Sequence, residues 1–137
     1  MTVALIKGYL ATIYSRYGRG EMVDGVRHFD CYGLVREARA TMFGKPLLAS
    51  YGEIGGQMAR EMTEAVNDTI QQHLKPCKPS PGAIAMGWRG RLCLHVGIVV
   101  QVDGRPWVLE TDSATGPVLT KIRDFESRFL KVTYYDD

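Results

Sequence analysis

The sequence predicts an α+β fold in which N-terminal helices pack on an antiparallel sheet of about five strands. Apolar residues recur every three or four positions in the first half of the chain and alternate with a period of two beyond residue 82. Helical segments followed by a run of strands are typical of the α+β class. The chain has 137 residues, 45% of them hydrophobic, which predicts a single domain spanning residues 1–137.

The first predicted helix covers residues 3–17. Its apolar residues are spaced by three and four, and they include an aromatic stripe of Tyr9, Tyr14 and Tyr17 that core packing explains. Residues 18–25 contain three glycines and are expected to form a loop.

Two further helices are predicted before the strands begin. Asp30 is a suitable N-cap for one that ends at Gly44, because its carboxylate can accept a hydrogen bond from a first-turn N–H. The other has apolar residues every four positions from Met58 to Leu74, with Met58 as a core filler, and Pro76 stops it.

Five strands are expected in the second half of the chain. They cover residues 84–88, 92–102, 107–111, 118–122 and 129–135. The dipeptide Asp103-Gly104 lies between the second and third of these strands, and Asp-Gly is favoured in a two-residue hairpin turn. This turn predicts a long central hairpin.

The register of that hairpin relates one histidine to two acids. If Asp103-Gly104 is the turn, His95 lies directly opposite Asp112 and diagonally from Glu110, all on one face. A three-residue turn would shift the parity and bring Thr111 there instead. A carboxylate beside an imidazole can fix its tautomer and steady the imidazolium.

A cysteine in the first turn of a helix suits nucleophilic chemistry. Cys31 follows the N-cap, where the helix dipole favours thiolate over thiol. With His95 and Glu110 it makes a nucleophile, base and orienting set. Taken singly, the alternatives are a small buried cysteine, a hydrogen-bonded strand histidine and a solvated acid.

Two segments carry a family resemblance. The segment from Asp30 to Arg36, Asp-Cys-Tyr-Gly-Leu-Val-Arg, resembles the first signature of the NlpC-type cysteine peptidases, papain-like hydrolases of bacterial cell-wall peptides. The segment His95-Val96-Gly97-Ile98-Val99 is similar to their second signature. Pro81-Gly82 matches the turn before their first central strand, and Glu110 falls where the family has its third catalytic residue.

The resemblance implies a role for each site residue. Cys31 would be the nucleophile, His95 the general base and then acid, and Glu110 the orienting residue. The Cys31 N–H and a tyrosine hydroxyl would hold the oxyanion. Tyr14 fits the family's Tyr-x-x-x-Gly-Arg spacing best, and Tyr17 is the second choice.

The chain departs from the family pattern in three ways, one of which is a hairpin after His95 that is longer than common and leaves the alignment of Glu110 open. Ala83 replaces the usual Asp after the Pro-Gly turn, and Glu110 replaces the usual His. Asp112 is an additional candidate because of the hairpin register. His28 lies three residues before Cys31 and is a rival base, although it has no obvious orienting partner.

The function implied is a cysteine endopeptidase that cuts peptidoglycan stem peptides, at the γ-D-glutamyl to diamino acid bond. Ser50-Tyr51-Gly52 and residues 14–19 are similar to a small branch of the family found in phage tail-tip proteins. That branch implies a virion component, made in the host cytoplasm without a signal peptide, with other tail-tip proteins as partners. The alternatives are a structural tail-tip subunit with weak or no activity, an interbacterial amidase effector, and an acyltransferase of the same superfold.

Composition excludes several other classes. A net charge of +2 without a basic run argues against a nucleic-acid partner. No segment approaches the roughly 20 apolar residues that cross a bilayer, so no membrane insertion is expected. Three cysteines do not make a disulfide framework, and we expect no metal or cofactor. Cys93 shares the strand parity of His95, which would bring it near the site, although as a buried apolar strand residue it needs no such role.

Overall fold

The computed structural model describes residues 2–52 and 59–137, and within them the chain forms four helices and nine strands. In order these are α1 (Thr2–Leu10), β1 (Ile13–Tyr14), β2 (Arg19–Val23), β3 (Val26–Phe29), α2 (Cys31–Phe43), α3 (Ala59–His73), β4 (Lys75–Pro76), β5 (Ile84–Arg89), β6 (Leu92–Val102), β7 (Arg105–Asp112), β8 (Gly116–Lys121), α4 (Ile122–Ser127) and β9 (Lys131–Asp136). Three strands form a sheet in the order β1-β3-β2, and six form a sheet in the order β4-β9-β5-β6-β7-β8. Every pairing in the larger sheet is antiparallel, which confirms the α+β class.

The larger sheet contains the five predicted strands and one short edge strand. β5 to β8 form a meander, whereas β9 crosses to the other side and pairs with β5. The predicted strand 118–122 ends at Lys121, because Ile122 begins the unpredicted helix α4. The two-residue β4 pairs with β9 at the edge.

The prediction of a helix over residues 3–17 is wrong beyond Leu10. The Thr12 hydroxyl donates to the carbonyl of Tyr9 at 2.6 Å, in the turn that follows the helix. Ile13 and Tyr14 then form β1, which pairs in parallel with β3. A β-branched and an aromatic residue suit a strand, and pairing with β3 decides the conformation.

The loop expected over residues 18–25 is instead most of a hairpin. β2 and β3 pair in antiparallel fashion across a turn at Asp24-Gly25, where the two φ angles are 50° and 80°. These positive values belong to the same kind of two-residue turn that was predicted at Asp103-Gly104. The dipeptide was therefore a signal for this hairpin as well.

The two other helix predictions agree with the structure. α2 begins at Cys31 and ends before Gly44, whose φ of 65° makes it a left-handed C-cap. α3 ends at His73, before the Lys-Pro pair. Met58 lies outside the described residues, so its role as a core filler stays a prediction.

Apolar side chains cover both faces of the larger sheet. On one face, residues of α1, α2 and α3 pack against β5, β6 and β7 around Leu34, Met62 and Ile98. On the other face, α4 contributes the fully buried Phe125 to a smaller cluster with Val99 and Val108. This arrangement buries the middle of β6 on both sides. None of the helices in the described part of the chain is long and apolar enough to cross a bilayer.

Candidate active site

The start of α2 is held in place by its N-cap and by a close backbone contact. The Asp30 carboxylate accepts a hydrogen bond from the Gly33 N–H at 2.8 Å. A Cβ atom at Gly33 would lie 2.0 Å from the carbonyl oxygen of Gly18, so only glycine fits there. The Asp30 N–H also donates to that oxygen, at 3.1 Å. The start of α2, and Cys31 with it, is therefore fixed against the backbone immediately before β2.

Arg19 ties the start of α2 to the segment that follows the helix. Its Nη1 contacts the Asp30 carboxylate at 2.7 Å, and both side chains are buried. Its Nε and Nη2 donate to the carbonyls of Ser50 and Tyr51 at 2.7 and 3.0 Å. One guanidinium thus connects β2, the N-cap and residues 50–51, where family-like residues were noted in the sequence.

The central hairpin has the predicted two-residue turn. Asp103 and Gly104 have φ angles of 53° and 77°, and Val102 pairs with Arg105. The pairing of β6 with β7 runs in this register as far as Ile98 and Leu109. Continued beyond that pair, the register places His95 on the same face of the sheet as Glu110 and Asp112.

His95 bonds to Glu110 and not to the residue predicted directly opposite. The Nε2 of His95 lies 2.8 Å from Oε1 of Glu110. Asp112 instead accepts hydrogen bonds from the N–H groups of Ala114 and Thr115, at 2.8 and 2.9 Å, in the β7–β8 turn. Asp112 lies close to His95, with ligand atoms of the two side chains within 4.8 Å, but its carboxylate caps that turn, and Glu110 is the acid that bonds to the imidazole.

Gly97 provides the space for this pair. A Cβ atom at Gly97 would lie 2.4 Å from Cγ1 of Val108 and 3.3 Å from Cβ of Glu110. A larger residue would therefore push Glu110 away from His95. This lack of space explains why position 97, within the second family-like segment, is a glycine.

Burial and charge act on the protonation of His95 and Glu110. Burial would lower the pKa of His95, but hydrogen bonds and charges from Cys31 and Glu110 raise it to about 9. Burial would raise the pKa of Glu110, but His95 and Arg128 lower it to about 2. The geometry thus favours an imidazolium facing an ionised carboxylate, with the Cys31 side chain as a second partner of the ring.

The sequence predictions missed two groups that contact the pair. Arg128 donates from Nη1 to both oxygens of Glu110, at 2.9 and 2.7 Å. Phe129 stacks on the His95 ring, with centroids 6.1 Å apart and an angle of 17°. Both residues follow α4, a helix that was not predicted, so only the sequence Phe-Glu-Ser-Arg-Phe of residues 125–129, with its aromatic-basic composition, could have drawn attention to them.

A cavity of about 600 Å³ opens beside these residues. Its lining includes Tyr14, Cys31, His95 and Asp112, together with Arg128. Four of the seven predicted site residues therefore line one open cavity. Such a cleft with titratable groups is typical of an active site.

The other three candidates lie elsewhere. Glu110 is only 1% exposed and lies behind His95. His28 is on β3, where it pairs with Ile13, and it is not among the described residues that line the cavity. Tyr17, likewise absent from that lining, has a φ of 66° and lies under the Arg16 guanidinium.

Of the two candidate tyrosines, Tyr14 is the one that lines the cavity. It is half-buried on β1 and borders the cavity with Cys31. Burial and the electrostatic effects of Cys31, Asp30 and Asp112 raise the pKa of Tyr14, so its hydroxyl keeps its proton. A protonated hydroxyl is a hydrogen-bond donor.

Of the two alternatives for Cys93, the structure supports a buried strand residue, which is not among the described residues that line the cavity. β6 has a bulge between His95 and Cys93, which pair with Gly87 and Trp88, and this extra residue reverses the strand parity. Cys93 is fully buried in the cluster under the helices, and burial raises the pKa of its thiol to about 12. Its N–H donates to Thr63 at 2.7 Å.

Three side chains have the residue types and the proximity of metal ligands. Ligand atoms of His95, Glu110 and Asp112 lie within 4.8 Å of one another. Arg128 already supplies a cation to this set, at 2.7 Å from Glu110 and 3.7 Å from Asp112. A metal ion would have to displace that guanidinium, so the residues suit an arginine better than a metal.

Two solved structures share this fold over almost the whole chain. Both are of an N-acetylmuramoyl-L-alanine amidase from Bacteroides uniformis ATCC 8492, and both are 12% identical to this chain. One has a TM-score of 0.56 and the match covers 98% of this chain and 96% of that one; the other has 0.58, with 98% of each covered. At this identity the likeness shows the fold alone. No family model matches the chain, and no curated protein matches it.

Proposed function

We propose that the protein is a cysteine hydrolase of the NlpC type that cleaves amide bonds in the peptides of peptidoglycan. The proposal rests on the surroundings of His95. This residue lines the same cavity as Cys31, and its Nε2 lies 2.8 Å from Oε1 of Glu110. Nucleophile, base and orienting group each have a candidate of the right chemistry. The fold shared with two amidase structures supports the same substrate class.

The proposed reaction proceeds through a thioester. The Cys31 thiolate attacks the carbonyl carbon of the scissile amide, and the C–N bond breaks as His95 protonates the departing amine. A water molecule, deprotonated by His95, then attacks the thioester, which releases the acid and restores the thiolate. Because Glu110 engages Nε2, the Nδ1 nitrogen of the ring is the one that exchanges protons.

The tetrahedral intermediates carry a negative oxygen that needs hydrogen-bond donors. The Cys31 backbone N–H at the start of α2 and the Tyr14 hydroxyl are the proposed donors. The helix dipole of α2 adds a favourable potential at this position.

Digestion of purified peptidoglycan tests the proposal. We expect the wild type and Cys31→Ala to differ, with soluble muropeptides released only by the wild type. Cys77→Ala is the matched control, because Cys77 is exposed and is not among the described residues lining the cavity. Equal inactivity of all three proteins would favour a structural role over catalysis.

A second candidate is an N-acetylmuramoyl-L-alanine amidase with the same three residues. Both structural neighbours are amidases of this kind, which favours it. Mass spectrometry of the products distinguishes the two candidates. Free stem peptides beginning with L-alanine would indicate the amidase, whereas fragments beginning with a diamino acid would indicate the γ-D-glutamyl endopeptidase.

We further propose a place on a phage tail tip, which rests on the family-like segments alone. There the enzyme would open the cell wall during entry, with other tail-tip proteins as partners. A tail-tip subunit with weak or no activity and an interbacterial amidase effector are the competing roles. Immunodetection of the chain in purified virions tests the tail location.

A further inference from the structure

A second cavity adjoins the candidate active site. It has a volume of about 270 Å³, and Leu94, Arg128 and Phe129 line both cavities. The Phe129 ring stacks on His95, and it also lies against β5, where a Cβ atom at Gly87 would come within 2.6 Å of it. The two cavities therefore meet on the His95 side of the active site.

The lining of the second cavity combines apolar surface with positive charge. Trp88 is held in place by a hydrogen bond from its Nε1 to the Thr133 hydroxyl at 2.7 Å. Leu94 and Leu130 are 36% and 79% exposed, so they present apolar surface to solvent. The described residues that line this cavity include two arginines and no acid.

The two arginines differ in how their charge is balanced. Arg128 contacts the Glu110 carboxylate at 2.7 Å, so a buried acid compensates its charge. Arg89, at the end of β5, is exposed and has no ion pair within the described part of the chain. An uncompensated guanidinium beside apolar surface suits a ligand with a carboxylate next to an apolar group.

The proposed reaction determines which part of a peptide would reach this cavity. His95 protonates the departing amine, so the amine side of the scissile bond lies at the imidazole. Phe129 stacks on that imidazole and lines the second cavity, so the groove continues in the same direction. In a peptidoglycan stem peptide, the part beyond the scissile bond carries the carboxylates of diaminopimelate and D-Ala.

We propose that the second cavity is a subsite for a carboxylate on the amine side of the scissile bond, and that Arg89 is the residue that binds it. The planar guanidinium can donate two parallel hydrogen bonds to a carboxylate. The apolar lining accommodates the methyl group of a terminal D-Ala. The subsite rests on the proposed function and adds a preference for stem peptides with a free carboxylate end.

Binding measurements with two probes test the subsite. In the Cys31→Ala protein, calorimetry compares the tetrapeptide L-Ala-γ-D-Glu-diaminopimelate-D-Ala with a derivative amidated at its diaminopimelate and D-Ala carboxylates. We expect Arg89→Gln to raise the Kd of the free tetrapeptide about fivefold and to leave that of the amidated derivative unchanged. Arg89→Lys, which keeps the charge, should retain most of the affinity.

Arg91→Gln is the matched control. Arg91 is also exposed, lies across the same turn at Gly90, and is not among the described residues that line the cavity. Four results would overturn the subsite: a change below about twofold for Arg89→Gln, an equal change for Arg91→Gln, an equal change with the amidated derivative, or no binding of the tetrapeptide to the Cys31→Ala protein.

Failure of the proposed function has a different signature. It would appear as wild-type protein that leaves peptidoglycan intact, whereas the titrations use an inactive variant and do not require turnover. The subsite can therefore stand or fall independently of catalysis.

Discussion

Arg128 donates from a single nitrogen to both carboxylate oxygens of Glu110, at 2.9 and 2.7 Å. The guanidinium also lies over the rings of Phe125 and Phe129, 5.4 and 5.3 Å from their centroids. Glu110 in turn bonds to His95, so Arg128 reaches the imidazole through one intermediate. It acts as a positioning residue that keeps Glu110 ionised and oriented.

Loss of this contact should reduce turnover more than binding. We expect Arg128→Gln to lower kcat about tenfold with a smaller change in KM, because His95 loses its fixed orientation. Arg128→Lys should recover part of the activity, since one nitrogen makes both contacts. The control is Arg123→Gln, an exposed residue of α4 with no ion pair in the described ranges. Equal effects of both Gln variants would contradict the assignment.

The pH dependence of activity should report the charge of Glu110. With the pKa of His95 at about 9, the proton for the leaving amine is lost above that value, and activity should decline there. Glu110→Gln removes a negative charge that raises this pKa, so the alkaline limit should move down by about one pH unit or more. Rate profiles of both proteins between pH 5 and about 10 measure the shift.

The same pKa makes a prediction about stability. The pKa of His95 is raised from 6.5 to about 9 in the folded state, so binding of this proton stabilises the folded protein. The contribution is fully present below pH 6.5. This contribution declines as the pH rises through about 9. Unfolding free energies of the wild type should therefore fall over this interval, and those of His95→Gln should fall less.

Two tyrosines compete for the oxyanion role. Tyr14→Phe should lower kcat about a hundredfold, because it removes a donor that acts in the transition state. Tyr17→Phe should stay within about twofold, since Tyr17 is not among the described residues lining the cavity. The reverse order of effects would assign the donor to Tyr17.

Gly97→Ala should damage both stability and activity. The new Cβ would meet Val108 at 2.4 Å and crowd Glu110, and overpacking of this kind costs about 1–3 kcal/mol. Gly8→Ala is a suitable control, because no described atom lies within 4 Å of its Cβ position. In helix α1 that change should stabilise the protein by about 1 kcal/mol. Thermal unfolding of both variants gives the comparison.

The buried ion pair of Arg19 and Asp30 should contribute more to stability than a partly exposed one. Arg19→Gln leaves the Asp30 carboxylate buried beside the nucleophile, with an expected cost of about 3 kcal/mol. Arg27 pairs with Glu37 at 2.8 Å, but their side chains are 33% and 24% exposed. Arg27→Gln should therefore cost about 1 kcal/mol or less. Urea unfolding measures both values.

Local signals in the sequence were sufficient to predict the elements that carry Cys31 and His95. Asp30 and Gly44 delimit α2 because capping depends on residues adjacent to the helix. Asp103-Gly104 fixes the hairpin register because the turn itself determines which residues oppose one another. That register placed two acids, Glu110 and Asp112, near His95. Only the structure shows that Glu110 is the one that bonds to the imidazole.

Contacts between distant segments determined the rest. Tyr14 belongs to a strand because β3 offers a pairing edge, and helical periodicity in residues 3–17 could not reveal that edge. The bulge in β6 separates Cys93 from His95 by one extra residue that strand alternation does not record. Arg128 reaches Glu110 only after α4 turns the chain back over β7 and β8. Periodicity and turn chemistry are local properties of the sequence, whereas the neighbours of His95 and Glu110 come from elements that meet only when the chain is folded.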